Sequence, residues 1–137
     1  MKRILAAYDG SDAASKAFVT ALELAERFGA ELRVLAVARP PEFGDEVETE
    51  AVIENSRKHY HQLLQSLHAA TLKKNVVIHF EVAVGHPAEQ IIRHAEEWPA
   101  DLVVVGHRGG TFLDRWLIGS VAKHVINHAP CAVLVAR

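Results

Sequence analysis

Short apolar runs alternate along this chain with longer stretches whose apolar residues recur every three or four positions. The short runs read as strands over residues 3–7, 32–38, 76–83, 102–106 and 132–135. They are rich in Val, Ile and Leu, and Leu102-Val103-Val104-Val105 shows no polar alternation. A strand covered by helices on both faces has that composition, whereas a strand with one wet face alternates. Amphipathic stretches lie between the runs. In the first, Ala14, Phe18, Ala21, Leu22, Ala25 and Phe28 share a face, with Ser11 placed to cap its start and Gly29 to end it. Tyr60, Leu63, Leu64 and Leu67 mark the buried stripe of a longer second helix. Pro87 opens the third, whose inward residues are Ala88, Ile91, Ile92 and Ala95. Gly119-Ser120 opens the fourth, which turns Val121, Ala122, Val125 and Ile126 inward and stops before Pro130.

Strands alternating with helices predict parallel βα units. The expected fold is a doubly wound α/β sheet of five parallel strands, in one domain spanning residues 1–137. Ligands of such sheets bind beyond the carboxyl ends of the strands, where the strand order reverses. That rule directs attention to Asp9, Val37, Val84-Gly85 and Gly106. The pattern alone leaves open which pair flanks the crevice.

Composition narrows the functional classes. Half of the residues are hydrophobic and 23% are charged, as in ordinary globular domains. A net charge of −2 gives no global drive toward nucleic acid or an anionic membrane. Cys131 is the single cysteine, so no disulfide framework is expected and a reducing, cytoplasmic setting fits. The apolar run before Asp9 is too short for a signal-peptide core, and no run approaches the length of a membrane span.

Two connections are long. Residues 39–46 carry Pro40, Pro41 and Gly44 and read as a loop. Residues 107–118 exceed an ordinary βα loop, and long loops in such domains usually serve function. Gly106-His107-Arg108-Gly109 opens this second loop and Gly119-Ser120-Val121 closes it. Gly106 and Gly109 would let the backbone approach a ligand without a Cβ in the way. The helix starting at Gly119-Ser120 offers unpaired N–H groups and a positive dipole end, which favour phosphate. His107, Arg108 and Arg115 could balance its charge. Residues 107–118 also carry Phe112, Leu113, Trp116, Leu117 and Ile118, and are expected to act either as a mobile lid or as a permanently docked segment.

Gly106, Gly109, Gly119 and Ser120 match, in spacing and type, the G-x2-G-x9-G-(S/T) pattern of ATP-binding universal stress proteins. The chain resembles that family over its whole length, including Ala7-Tyr8-Asp9-Gly10-Ser11 and the closing run from Ala129 to Val135. The resemblance implies an adenine nucleotide alpha hydrolase-like sheet with strand order 3-2-1-4-5. It implies that Asp9 contacts the nucleoside and that Val37 offers backbone groups to adenine. Ala7, Tyr8 and Val105 would flank them, with Gly106, Arg108 and Gly109 near ribose and phosphates. Gly119, Ser120 and Val121 would hold the phosphates, with Ala122 the next residue of the binding set. The expected ligand is ATP or another adenine nucleotide, accompanied by Mg. Ala122 departs from members that carry a hydroxyl residue there, which removes one phosphate contact and leaves ATP versus a shorter nucleotide open. The resemblance further implies a homodimer through the last strand, and a stress-response or regulatory module with at most slow ATP hydrolysis.

Other signals are weaker. His124 and His128 lie four apart without the glutamate of H-E-x-x-H, and read as solvated surface residues. Cys131 reads as a small core residue. A phosphoacceptor receiver domain needs an aspartate at the end of the third strand, where this chain has Ala83-Val84-Gly85. The remaining rival is a family member with an empty pocket, acting on protein partners through its dimer surface.

Overall fold

The start of the first helix is fixed by local chemistry. Ser11 sits in extended backbone, and its hydroxyl accepts the Ala14 N–H at 3.2 Å. That satisfies one of the orphan donors of a helix start. The helix ends at Gly29, whose φ of 64° is the left-handed geometry that glycine adopts without a Cβ penalty. A computed structural model describes residues 1–107 and 119–137. Within them the elements run β1 (Arg3–Ala7), α1 (Asp12–Phe28), β2 (Glu31–Ala38), α2 (Glu46–Ala70), β3 (Ile78–Val84), α3 (Pro87–Glu97), β4 (Leu102–Gly106), α4 (Ser120–His128) and β5 (Ala132–Ala136).

The strands form one parallel sheet in the order β3-β2-β1-β4-β5. Successive side chains of a strand point to opposite faces, so one strand feeds two cores. Ile4 and Ala6 of β1 join Val34 and Ala36 of β2 under α1 and α2. Leu5 of β1 and Leu35 of β2 join Val103 and Val105 of β4 under α3 and α4. Helices on both faces explain why β4 carries no polar residue. Among the described residues no helix is long and apolar enough to cross a membrane.

The pattern overreached at element ends. Phe28 is 57% exposed: it lies in the last turn of α1, and Ala30, after the turn at Gly29, is the buried residue there. Ile126 is 42% exposed, on the flank of a nine-residue helix that buries Ala122 and Val125. In α2 only Leu64 is fully buried, with Tyr60, Leu63 and Leu67 half-buried. The third strand begins at Ile78, not Val76, where pairing with Leu32 of β2 begins. As an edge strand it keeps no residue fully buried.

Candidate functional site

The order reverses between β1 and β4, which run side by side while their connections leave in opposite directions. Beyond their carboxyl ends lies a cleft of about 490 Å³, within the range of roughly 300–1,000 Å³ usual for small-molecule sites. Of the residues expected from sequence, Ala7, Tyr8, Asp9, Val37, Val105, Gly106, Gly119, Ser120, Val121 and Ala122 all line it. Arg108, Gly109 and the remaining residues of the long loop, through Ile118, lie outside the described residues.

The floor is built by the turn from β1 into α1. The Tyr8 N–H donates to the Leu35 carbonyl at 2.9 Å, so β1 stays paired with β2 up to the rim. Asp9 then leaves the sheet, and its Oδ1 accepts the Ser11 N–H at 2.9 Å. This is the turn-forming role an aspartate takes at a strand end, and it holds the carboxylate at the cleft. Gly10 has φ of 85°, and a Cβ there would stand 2.9 Å from Leu63 Cδ1 of α2. The positive φ of the turn therefore favours glycine, while the end of the Leu63 side chain would have to shift to admit a Cβ.

Gly106 has a different reason from the expected one. A Cβ at this position would lie 2.6 Å from both the carbonyl carbon and the oxygen of Ala13. The missing side chain lets the first turn of α1 pack directly on the end of β4. Gly106 still lines the cleft, but packing within the chain already requires glycine there, before any ligand is considered.

The opposite wall is the start of α4. Gly119 is its N-cap, with φ of −60° and ψ of 156°, and among the described residues no side chain caps the helix. Of the other helices, α1 is capped by Ser11 and α2 by Asp45, whereas α3, which starts at Pro87 beside the same cleft, also lacks a side-chain cap. The first turn of α4 contains no acidic residue. Its first N–H groups thus lie at the cleft with no side-chain cap among the described residues, and with the positive end of the helix dipole behind them. Next to them His107 is only 6% exposed. Its N–H donates to the Ala136 carbonyl at 2.6 Å, and its buried Nε2 has no partner among the described residues.

Three polar lining residues were not expected at the site from sequence: Ser11, which was read only as a helix cap, Arg39 and Tyr60. Arg39 follows β2 directly and was legible through the rule that points to strand carboxyl ends. Tyr60 lies in α2, and only packing of that helix over the rim brings it to the cleft. Burial, and then the Asp9 carboxylate, raise the Tyr60 pKa above its ordinary 10.0. Val84-Gly85, at the end of the edge strand β3, does not line the cleft.

Elsewhere, Cys131 packs against the core beneath α3 and α4, and burial raises its thiol pKa. His124 and His128 are exposed, with ring centroids 4.7 Å apart, and His86 lies 6.3 Å from His124. Among the described residues no three His, Cys, Asp or Glu side chains are grouped to hold a metal ion.

Comparison with known proteins gives a consistent result. The family profile described as Universal stress protein family matches residues 1–137. Universal stress protein MJ0531 of Methanocaldococcus jannaschii is 35% identical, across 99% of this chain and 82% of that protein. Universal stress protein YxiE of Bacillus subtilis is 33% identical, across 98% of each chain. Among solved structures, universal stress protein UspA from Lactobacillus plantarum superposes with a TM-score of 0.90 at 28% identity, covering 99% of this chain and 97% of that one. Two more distant structures share the fold. A universal stress protein in complex with cAMP has a TM-score of 0.67 at 22% identity, over 99% of this chain and 97% of the other. An Arabidopsis thaliana family protein with AMP bound has a TM-score of 0.70 at 18% identity, over 99% and 91%.

Proposed function

We propose that this chain, which belongs to the universal stress protein family, binds an adenine nucleotide, ATP foremost, as a stress-response or regulatory module with little turnover. The observation that carries this reading is the start of α4, capped by no described side chain and facing Asp9 across the point where the strand order reverses. An anion at Gly119, Ser120, Val121 and Ala122 would satisfy donors that no described side chain caps. Asp9 and Val37 are then left for the nucleoside, between walls made by Ala7, Tyr8 and Val105. Arg108 and Gly109 keep the roles beside ribose and phosphates that the family resemblance implies. The binding of AMP and cAMP by proteins of the same fold supports an adenine ligand.

Mg would arrive with the phosphates. Asp9 is the one carboxylate among the described lining residues, and this ion is commonly held by one or two carboxylates plus the phosphates themselves. At most slow hydrolysis of the bound nucleotide is part of this reading. We place the protein in the cytoplasm, where a lone thiol such as Cys131 stays reduced. Pairing β5 with its symmetry mate would make the homodimer.

Melting with and without ATP tests the phosphate site. A ligand at a hundred times its dissociation constant stabilises the native state by about 2.7 kcal/mol. The unsubstituted protein should show that upward shift, and Gly119→Val, which crowds the helix start, should lose it. Because Gly119 is buried, the quantity compared is the ATP-induced shift of each protein and not its absolute melting temperature. A full shift in Gly119→Val would move the phosphates elsewhere.

A further inference from the structure

The helix α2 crosses the sheet face with Leu64 at its buried centre. Leu63 lies against the turn at Gly10, and Tyr60, one turn earlier, reaches the rim of the cleft beside Asp9. Asp9 and Tyr60 both line the cleft, and they carry complementary groups. Oδ1 of Asp9 accepts the Ser11 N–H, while its second oxygen has no partner among the described residues. The Tyr60 hydroxyl likewise makes no hydrogen bond among them, including none to Asp9. Burial, and then the nearby carboxylate, oppose its ionisation and keep it a donor. A free donor and a free acceptor thus face the same space without meeting. The group that joins such a pair must both accept and donate, as a hydroxyl does.

We infer that Tyr60 is a specificity-determining residue that makes the cleft select ribonucleotides, holding one sugar hydroxyl between its phenol and the Asp9 carboxylate. The inference rests on the nucleotide reading above. Sheet order supports the placement. With phosphates at the start of α4, after β4, the next strand is β1 with Asp9, and the one beyond is β2 with Val37. The sugar therefore falls at Asp9, under Tyr60, and the base falls toward Val37. The ligand hydroxyl accepts from Tyr60 and donates to Asp9. A deoxy analogue does neither, and it leaves both protein groups unpaired in a partly desolvated site, which is how polar sites reject analogues lacking a hydroxyl.

The experiment is a calorimetric comparison of ATP, 2′-deoxy-ATP and 3′-deoxy-ATP on the unsubstituted protein and on Tyr60→Phe. The unsubstituted protein should bind ATP about tenfold more tightly than one of the two deoxy analogues. Tyr60→Phe keeps the ring that packs on the core and should weaken ATP by about threefold to tenfold. Its affinity for the disfavoured analogue should stay unchanged, so the preference shrinks. Equal binding of all three nucleotides to the unsubstituted protein overturns the inference without any variant. So does a preference that Tyr60→Phe leaves intact, and in both cases nucleotide binding itself survives. Binding of none of the three removes the nucleotide reading and this inference together.

Discussion

At position 106 the chain has no room for a side chain. The first turn of α1 rests on the end of β4, with Ala13 where a Cβ would stand, 2.6 Å away. Substituting Gly106→Ala must push that turn outward, and overpacking of this kind costs about 1–3 kcal/mol. The ligand-free melting temperature should fall by several degrees in calorimetry. An unchanged value would show that glycine at 106 serves the ligand alone, as the spacing of the motif first suggests. Sequence could place this glycine at the cleft and could not give its reason. Strand ends and glycines are local signals, whereas Ala13 meets Gly106 only after the sheet has assembled. The same holds for Tyr60. Its helical spacing marks it as part of a buried stripe, and only the height at which α2 crosses the sheet turns its phenol toward Asp9.

Between elements, one exposed carboxylate ties the base of the sheet. Asp101, in the turn between α3 and β4, accepts the Lys2 N–H at 2.6 Å and the Arg3 N–H at 2.9 Å through the same Oδ2. Those two backbone bonds hold its pKa below the ordinary 3.8. A carboxylate lowered by folding contributes stability that is fully present above its unfolded pKa and is lost as the pH falls through the folded one. Asp101→Asn should therefore be less stable than the unsubstituted protein in urea titrations at neutral pH. The gap should hold down to about pH 5 and narrow below 3.8. A gap independent of pH would assign the effect to packing. The elements themselves were largely legible, because helices on both faces leave β1, β2 and β4 almost wholly apolar. Their ends were less so. Phe28 and Ile126 fit their stripes by spacing, but Phe28 lies in the last turn of α1 and Ile126 on the flank of a short helix, and both are exposed.

For the molecule as a whole, strand order decides where the cleft lies, and residue pattern alone could not supply it. The family resemblance implied the order 3-2-1-4-5, and the sheet has it. That order leaves β5 at one edge, with Val133, Leu134 and Val135 half-buried and the strand's outer backbone groups unpaired among the described residues. An apolar edge invites pairing with a second strand. Light scattering at micromolar concentration should give the mass of two chains, and a charged substitution such as Val133→Lys should halve it. A mass of one chain for the unsubstituted protein would exclude the β5 dimer.

In the proposed function, the cleft at the β1–β4 reversal takes an adenine nucleotide by its phosphates and its nucleoside together. Isothermal titration with ATP, AMP and GTP measures this directly. ATP should bind saturably at one site per chain, AMP, which would reach fewer α4 donors, more weakly, and GTP, whose base differs at the Val37 end, more poorly. No binding of either adenine nucleotide at concentrations up to about 1 mM would contradict it.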